Sequence, residues 1–475
     1  MPVDLSYAAV MGRSNQILQK AVGINYDDFK IGPLAFDYER MMESVGYRLD
    51  EVQRIQQETG VGQTSLLELR NITALARKLA PKGKGARIFV KDEAANPSGS
   101  FKDRRASLSV YVAQQKGSPG VIAATSGNYG AAVASQAAMR GLKCIVVQEV
   151  FDSRGVGQPE IIEKSRKCEA YGAEVHQLSV GPELFYVFLC LLEETGFFSA
   201  SLYTPFAVAG IETLGFEVAT QVEKQEGVAP AAVVIAHAGG GNLTGTARGL
   251  LKANCPDTKV IGASVDLTGL HMASDRDFNR KSFTTAHTGF AVPFTTWPDR
   301  ADVPLNAART LRYMDRFVTV KQGAVFYVTE MLAQMEGLER GPAGNSSLAA
   351  AFAIAQEMDE DEILVVQETE YTGAGKHPWA QLNFAAENGI EIKRGDPKEE
   401  SAGKNIIIPE HPSQVQVKDM SMADLRCSYL RNAIAKLPGK TVTEIELDFL
   451  VADTRSSRQF VENILAESGI TISSA

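Results

Sequence analysis

Short runs of apolar, often β-branched residues alternate along the chain with longer segments of helical period. The apolar runs predict strands at Ala86–Lys91, Val121–Thr125, Cys144–Val147, Val233–Ala236, Val260–Val265 and Ile363–Gln367. The segments of helical period predict helices at Phe101–Gln115, Tyr129–Arg140, Glu160–Tyr171, Pro182–Glu194, Ile211–Glu226, Asn242–Lys252 and Ser346–Glu357. Continuous apolar strands separated by helices are typical of a parallel sheet that is covered on both faces. The pattern therefore predicts an α/β fold with a doubly wound parallel sheet.

The two ends of the chain and two internal segments depart from this alternation. Residues 1–80 carry charged amphipathic patterns, which predict a helical extension packed on the core. Residues 413–475 predict a small α+β appendage. The segment Gly395–Pro412 is rich in proline, glycine and charge, which predicts a linker or an exposed excursion. The segment Thr268–Asn306 is long and irregular, as functional loops often are.

The composition is that of an ordinary globular protein, with 44% hydrophobic and 22% charged residues. There are 57 acidic and 48 basic residues, so the net charge is -9. This balance disfavours nonspecific binding to nucleic acid or to an anionic membrane surface. No apolar run approaches the ~18 residues of a membrane-spanning helix, and the N-terminus shows no secretory signal pattern. We therefore expect a cytoplasmic protein.

The cysteines and histidines do not form a metal-binding or disulfide pattern. The five cysteines are widely spaced and include no C-x-x-C, which favours free thiols in a reducing compartment. The six histidines are equally scattered and include no H-E-x-x-H. We expect no metal site.

The segment Asn96–Arg104, N-P-S-G-S-F-K-D-R, combines a turn with the predicted start of a helix. Lys102 falls in the first helical turn, where the positive end of the helix dipole disfavours a cation and lowers the pKa of an amine. A lysine needs a lowered pKa to form an imine with a carbonyl compound. Taken alone, the segment is equally compatible with a solvated lysine at the start of a charged helix.

A second polar turn, Thr125–Gly130, lies between a predicted strand and an alanine-rich helix. Ser126, Gly127 and Asn128 would place backbone N–H groups and short polar side chains at a helix N-terminus, which suits a carboxylate or a phenolate oxygen. A simple helix cap explains this turn equally well.

Three consecutive glycines, Gly239, Gly240 and Gly241, follow an apolar run and precede Asn242. Glycines let the backbone approach an anion closely, and the helix N-terminus adds N–H donors, so the loop predicts a phosphate site. The dinucleotide pattern G-x-G-x-x-G fails because the sixth position from Gly239 is Thr244, and no P-loop pattern occurs. A dehydrogenase and a nucleoside triphosphatase are both disfavoured.

One ligand would use an imine-forming lysine, a polar loop and a cradle for a single phosphate together, and that ligand is pyridoxal phosphate (PLP). The ordered motifs P-S-G-S-F-K-D-R, S-G-N-Y-G and G-G-G-N resemble those of the fold-type-II PLP enzymes, the family of threonine synthase, cysteine synthase and the tryptophan synthase β chain. The resemblance extends over roughly residues 85–390. Three motifs in order are far more specific than any one of them.

The resemblance implies roles for particular residues. It makes Lys102 the catalytic lysine that forms an imine with PLP. It places Asn128 beside the 3-oxygen of PLP, Gly239, Gly240, Gly241 and Asn242 around the phosphate, and Ser126 and Gly127 at the substrate carboxylate. It also implies that the hydroxyl of Thr372 meets the pyridine nitrogen as a neutral partner, with Thr369 as the competing candidate.

The resemblance also implies two doubly wound parallel-sheet domains. The large PLP-binding domain would comprise residues 81–115 and 205–395, and a small mobile domain would comprise residues 116–204. The segments 1–80 and 413–475 would be extensions at the two ends.

Three further stretches are similar to the large (β) subunits of 2-amino-4-oxopentanoate thiolases, a branch of the same family. They are LSYAAVMGRSNQILQKAVGI, FDSRGVGQPEIIEKSRKCEA and QETEYTGAGKHP. This resemblance implies an acyltransferase that cleaves 2-amino-4-oxopentanoate with coenzyme A (CoA) to acetyl-CoA and alanine, in ornithine degradation. It also implies a small second (α) subunit as partner, in a hetero-oligomer or with a homodimer of the PLP subunit.

Two other functions stay open at this stage. A threonine synthase-like enzyme that catalyses β- or γ-replacement on a phosphorylated amino acid would need a second anion site, with Arg104, Arg105 or Arg154 as possible donors. A noncatalytic binding protein would have no use for an imine-forming amine, so Lys102 disfavours that function.

The sequence leaves the base that activates the thiol undetermined. The candidates with a suitable pKa are His237, His271, His287 and His377, although a single histidine is more often structural. An acyl-cysteine intermediate is disfavoured because the relevant thiols lie in predicted regular structure: Cys144 in a strand, Cys168 and Cys190 in helices.

Overall fold

The computed structural model describes residues 4–125, 127–152, 154–267, 282–284, 303, 307–371 and 376–473, with the side chains of Lys376 and His377 excepted. Within these residues no helix combines the length and the apolar character needed to cross a membrane. The strands of the described residues form two parallel or largely parallel sheets and two short strand pairs.

The larger sheet has seven strands among the described residues. In spatial order they are β1 Leu66–Glu68, β2 Arg87–Asp92, β10 Ile363–Glu368, β7 Ala232–Ala236, β8 Lys259–Val265, β9 Arg316–Val320 and β13 Lys418–Asp419. The five inner strands are parallel to one another, and the two edge strands run antiparallel to their neighbours. Every residue of β10 is buried, as expected for an inner strand of a parallel sheet.

The smaller sheet has four parallel strands. In spatial order they are β5 Glu174–Ser179, β4 Lys143–Phe151, β3 Gly120–Thr125 and β6 Phe198–Ser199. All of its strands lie within residues 116–204, but the division of the chain into domains stays a prediction.

Helices connect the strands and cover the sheets. They are α1 Tyr7–Gly12, α2 Ser14–Val22, α3 Tyr38–Glu43, α4 Leu49–Gln57, α5 Arg70–Leu79, α6 Lys102–Gln115, α7 Asn128–Met139, α8 Pro159–Ala170, α9 Glu183–Thr195, α10 Pro205–Glu226, α11 Gly241–Lys252, α12 Thr310–Tyr313, α13 Gln322–Glu336, α14 Pro342–Ala355, α15 Lys376–Glu387, α16 Met422–Ile434, α17 Glu444–Thr454 and α18 Arg458–Glu467. Each predicted strand and helix is present with shifted ends, and the predicted α/β fold is confirmed.

The large sheet is packed on both faces because successive residues of its inner strands join different hydrophobic clusters. In β10, Val365 belongs to one cluster and Val366 to another on the opposite face. In β7, Val233 and Val234 divide in the same way. Continuous apolar runs are therefore required at these positions.

The helix ends follow from local sequence. Helix α10 begins after Thr204, whose hydroxyl accepts from Ala207 N at 3.2 Å, and Pro205 occupies its first turn. The helix ends at Gly227, which adopts the left-handed conformation with φ of 74°.

The segment Gly395–Pro412 is not simply a linker. It contains β12 Asn405–Pro409, which pairs in parallel with β11 Glu391–Gly395. Ile406 and Ile407 are buried in this strand. The prediction of an exposed excursion was wrong there, because a short apolar run lay among charged and glycine residues.

Residues from both ends of the chain meet around Arg309. The guanidinium lies 4.1 Å from the ring centroid of Tyr38 and 5.4 Å from that of Phe449. Its Nε donates to Asp453 Oδ1 at 2.5 Å, and its backbone N donates to Thr244 Oγ1 in α11 at 3.1 Å. The N-terminal segment and the C-terminal strand pair β14 Thr441–Thr443 and β15 Thr471–Ser473, with its helices, thus join the same core cluster.

Candidate active site

The turn that precedes Lys102 is held against the end of the central strand β10. Phe101 N donates to Thr369 O at 3.0 Å, and Tyr371 N donates to Gly99 O at 2.8 Å. Helix α6 starts at Lys102 itself. Its amine is therefore placed at the carboxyl end of the parallel strands, the edge at which open α/β sheets bind ligands.

The Lys102 amine is made nucleophilic mainly by burial. The pKa of Lys102 is lowered to about 8, and burial is the largest cause. The positive charges of Lys164 and Arg105 act in the same direction, whereas the carboxylates of Glu370 and Glu160 oppose the shift. At a pH near 8, roughly half of such an amine is neutral. The sequence predicted a lowered pKa for Lys102 from the helix dipole. The structure also gives a lowered pKa, and its largest cause is burial.

The loop Gly239–Gly241 joins β7 to the start of α11. Gly240 adopts a φ of 87°, in the left-handed region that glycine enters without a Cβ penalty. Because α11 begins at Gly241, the free N–H groups of its first turn lie at this loop.

A side chain on any of these glycines would collide with a neighbour. The nearest atom to an added Cβ would be Tyr203 Oη at 1.5 Å for Gly239, Thr310 Cγ2 at 1.8 Å for Gly240 and Arg105 Nη2 at 2.5 Å for Gly241. The loop is therefore a tight cradle, and the Arg105 guanidinium contributes a positive charge to its rim. Arg105 lies one helical turn after Lys102, so both project from one face of α6.

The next residue, Asn242, presents an unused donor. Its side chain is buried, and Nδ2 has no hydrogen-bond acceptor among the described residues. Burying an unpaired amide is costly, so an acceptor from a ligand is expected there. A glycine cradle, helix N–H groups, an arginine and an unpaired amide fit a phosphate group, and a neutral amine nearby fits the aldehyde of PLP.

The polar turn after β3 lies in the smaller sheet. Ser126 lies outside the described residues, while Gly127 N donates to Thr125 Oγ1 at 3.0 Å. Asn128 is buried at the start of α7, and α7 packs against α6. The carboxylate site therefore stays a prediction.

The partner of the pyridine nitrogen also stays a prediction. Thr372 lies outside the described residues. Its competitor Thr369 is buried at the end of β10, where its carbonyl accepts from Phe101.

A buried ionic cluster that sequence reasoning did not find lies beside Lys102. Lys164 of α8 forms an ion pair with Glu160 one turn earlier, and its Nζ lies 3.7 Å from Glu370 Oε2. All three of these side chains are buried. The neighbouring Lys167 donates to the carbonyl of Ser98 in the turn before Lys102. Helix α8, which connects β4 and β5 of the smaller sheet, therefore contacts both the turn before Lys102 and the segment after β10 against which that turn is held.

The three arginines considered as anion donors have separate roles. Arg104 is fully buried and bonds the carboxylates of Glu93 and Glu217, so it is structural. Arg105 lies at the glycine loop. Arg154 pairs with Asp152.

Among the candidate bases, His237 is described and lies behind the glycine loop. It is buried, packs edge-on against Phe317 at 5.5 Å, and its Nε2 would be 3.1 Å from a Cβ on Gly240. His271, His287 and the side chain of His377 lie outside the described residues.

The buried thiols are poor nucleophiles. Burial raises the pKa of Cys168 to about 12 and raises that of Cys144 as well. Cys190 is half-buried in α9.

Comparison with known proteins identifies the family. Residues 57–368 match the family described as "Pyridoxal-phosphate dependent enzyme". The chain belongs to this family. The predicted enzyme class and the PLP cofactor are thereby confirmed.

Within this PLP enzyme family, the chain is similar to proteins named "2-amino-4-ketopentanoate thiolase beta subunit". One, from an unidentified prokaryotic organism, is 65% identical over 99% of this chain and 100% of its own length. Another, from Acetoanaerobium sticklandii, is 65% identical over 98% of this chain and 99% of its own length. 2-Amino-4-ketopentanoate is the same compound as 2-amino-4-oxopentanoate, so the predicted resemblance is confirmed.

Solved structures show the same fold. The chain superposes on a bacterial threonine deaminase with a TM-score of 0.51 and 26% identity, over 69% of this chain and 99% of that one. An O-ureido-L-serine synthase gives a TM-score of 0.51 at 22% identity, over 68% of this chain and 92% of that one.

Proposed function

We propose that this chain is the PLP-bearing subunit of a thiolase that converts 2-amino-4-oxopentanoate and CoA to acetyl-CoA and alanine. The observation that carries the proposal is the 65% identity that extends over 99% of this chain and the whole of a relative named for that substrate. By contrast, a threonine synthase from Halalkalibacterium halodurans shares 31% identity over 39% of the chain.

The described residues would hold the cofactor by its two ends. The glycine loop, Asn242 and Arg105 would bind the phosphate, and Lys102 would bind the aldehyde carbon. Bound PLP supplies an imine to the amino group and a conjugated ring that stabilises negative charge on the amino acid carbons. We assign the pyridine nitrogen to Thr372, the 3-oxygen to Asn128 and the substrate carboxylate to Ser126 and Gly127.

Lys102 would also move a proton. With PLP and substrate bound, the amine of Lys102 would accept the α-proton of the amino acid and return it. A pKa of about 8 suits both directions near neutral pH, because neither form is strongly favoured. Borohydride reduction of the PLP-loaded protein followed by peptide mapping should place the label on Lys102, and a label on another lysine would contradict this role.

Helix α8 would help to exclude water from the reacting atoms. It contacts Ser98 before Lys102 through Lys167 and Glu370 of the facing strand end through Lys164. We propose that residues 116–204, which carry α8, close as a small domain onto the larger unit of residues 81–115 and 205–395.

The relatives are named beta subunits, and that name implies a second subunit. We propose that the partner of this chain is a small α subunit, with the PLP subunit itself forming a dimer or joining a hetero-oligomer. The net charge of -9 gives no general attraction for the polyanionic CoA. A partner that orients CoA would explain catalysis, because orientation contributes ~7–11 kcal/mol to such a step.

The test is an assay with and without the second subunit. The isolated chain should bind PLP and exchange the α-proton of alanine in heavy water, yet form little acetyl-CoA. The complex should form acetyl-CoA from 2-amino-4-oxopentanoate and CoA. Full turnover by the isolated chain would contradict the partner requirement, and no turnover by the complex would contradict the thiolase function.

The structure disfavours a threonine synthase-like replacement reaction, because that reaction would need a second anion site. The arginines that would have formed a second anion site are committed elsewhere: Arg104 to buried carboxylates, Arg105 to the glycine loop and Arg154 to Asp152.

A further inference from the structure

Lys164 combines a buried ammonium group with unused donors. Its side chain is buried, and within the described residues its ammonium makes one hydrogen bond, to Glu160, and one longer ion pair, to Glu370. An ammonium group carries three N–H donors. The two carboxylates raise its pKa against the effect of burial, so the group stays protonated. Lys164 therefore has a positive charge and spare donors beside the catalytic lysine.

The position of Lys164 separates it from the phosphate end of the site. Arg105 lies against Gly241 in the glycine loop, whereas Lys164 lies against Glu370 at the end of β10. Glu370 pairs through its backbone with Ser100, two residues before Lys102. The electrostatic effect of Lys164 on Lys102 agrees with this proximity. Lys164 is therefore a neighbour of Lys102 on the side of Glu370.

The charge around Lys164 selects what it can bind. Two carboxylates already serve as counter-ions of Lys164, so the ammonium gains less from a phosphate or a second carboxylate than an unpaired lysine would. A neutral carbonyl oxygen accepts a hydrogen bond from an ammonium and adds no further negative charge. Among the groups of 2-amino-4-oxopentanoate, only the C4 ketone is a neutral acceptor, because the amine goes to PLP and the carboxylate is predicted at Ser126 and Gly127.

We propose that Lys164 binds the C4 carbonyl oxygen of the substrate and stabilises the oxyanion that forms there. The proposal rests on the thiolase function proposed above and adds a subsite to it. Glu160 and Glu370 act as positioning residues, because they hold the ammonium and keep it charged.

The step that Lys164 assists balances as follows. The CoA thiol gives its proton to a base, and the sulfur electron pair forms a bond to C4 while the π pair of the carbonyl moves to oxygen. Lys164 donates a hydrogen bond to that oxyanion. The oxygen pair then re-forms the carbonyl, the C3–C4 bond breaks, and its electron pair goes to C3, which takes up a proton. The products are acetyl-CoA and alanine, with no oxidant or reductant.

The first test measures binding to the PLP-loaded chain. The cofactor absorbance is titrated with 2-amino-4-oxopentanoate and with 2-aminopentanoate, which lacks the ketone oxygen. Lys164→Met should weaken binding of the ketone roughly ten- to a hundredfold, the value of a charge-assisted hydrogen bond, and weaken binding of 2-aminopentanoate much less. Equal weakening of both amino acids would mean that Lys164 is only structural and would overturn the proposal.

The second test measures reactions. In the complex with its second subunit, Lys164→Met should lower acetyl-CoA formation about a hundred- to thousandfold, as expected for loss of one oxyanion donor. Exchange of the α-proton of alanine, which has no ketone, should change far less, only by the effect of the lost Lys164 charge on the pKa of Lys102. The matched control is Arg166→Gln on the same helix, because Arg166 is exposed and pairs with Glu169, and it should change neither reaction.

The two proposals fail in different ways. If the parent complex makes no acetyl-CoA but Lys164→Met still loses its preference for the ketone, the thiolase function fails and the ketone subsite stands. If turnover and ketone preference survive in Lys164→Met, the subsite fails and the thiolase function stands. If Lys164→Met does not bind PLP, Lys164→Arg is tested in its place. Lys164→Arg should bind 2-aminopentanoate normally and the ketone more weakly. Normal binding of both amino acids would refute the subsite.

Discussion

Replacing Gly240 with alanine tests whether the glycine loop is the phosphate cradle. Gly240 has a φ of 87°, which costs an L-residue roughly 1–2 kcal/mol. The new Cβ would also lie 1.8 Å from Thr310 Cγ2, about half of an ordinary carbon–carbon contact distance. Thr310 has a stiff, β-branched side chain, so relieving this overlap should cost about 1–3 kcal/mol more.

The two costs together give about 2–5 kcal/mol in the PLP-bound protein. If the apoprotein loop relaxes, the whole amount appears in PLP affinity, as roughly a 30- to 4,000-fold increase in Kd. If it does not relax, the amount appears as a loss of unfolding free energy. Spectroscopic titration with PLP and urea unfolding with and without PLP measure both parts. Gly240→Val should have a larger effect in the same direction.

Two further variants separate the backbone cost from the collision. Thr310→Ser removes Cγ2, so the double variant Gly240→Ala/Thr310→Ser should relieve the collision. It should still carry the free-energy cost of the left-handed backbone. Gly337→Ala is the matched control, because Gly337 has a φ of 68° and no atom within 4 Å of an added Cβ. It should lower stability by about 1–2 kcal/mol and leave PLP affinity unchanged. If Gly240→Ala bound PLP as tightly as the parent and kept its stability, the cradle would lie elsewhere.

Other predictions concern titration, thiols, the pyridine nitrogen and the core. The rate at which the apoprotein takes up PLP should rise with pH through about 8, since the neutral Lys102 amine reacts; a midpoint near the ordinary lysine value would contradict its burial. Cys168→Ala should keep acetyl-CoA formation, and loss of turnover in a folded variant would instead support an acyl-cysteine. Thr372→Asp should change the cofactor spectrum more than Thr369→Asp, and the reverse order would exchange their roles. Arg104→Met should lower the free energy of unfolding by about 3–5 kcal/mol, because the buried carboxylates of Glu93 and Glu217 both lose their guanidinium partner and, among the described residues, Lys91 alone remains to pair with Glu217; an unchanged urea midpoint would contradict this.

The inner strands could be predicted because burial on two faces demands apolar residues in succession. Ile363–Gln367 is such a run, and the structure extends it by one residue, to Glu368. The edge strand β5, Glu174–Ser179, carries no comparable run, since its residues are exposed or half-buried. An edge strand is stabilised mainly by hydrogen bonds to the neighbouring strand, here β4. The residues of β5 therefore carry no pattern of their own from which the strand could be predicted.

The same distinction holds at the site. Lys102 and the glycine loop could be found because their chemistry is local: a turn, a helix start and three adjacent glycines. Lys164 lies in a charged helical stretch in which nothing marks one lysine as buried. Its environment depends on Glu370, which is distant in the sequence and meets it only in the folded protein. A spacing of three between Lys102 and Arg105 was the one local signal for the arginine at the phosphate cradle.

The contacts of Arg309 also set an order of events during synthesis. Tyr38 is made early, whereas Asp453 follows Arg309 by 144 residues. At ~5–20 residues per second, a nascent chain needs roughly 7–29 s to cover that interval. Throughout it, Arg309 has no C-terminal carboxylate or Phe449 ring to hold it, although Thr310 beside it already faces Gly240. We therefore expect stable PLP binding only late in translation, and a chain truncated before residue 449 should bind PLP more weakly than the full chain.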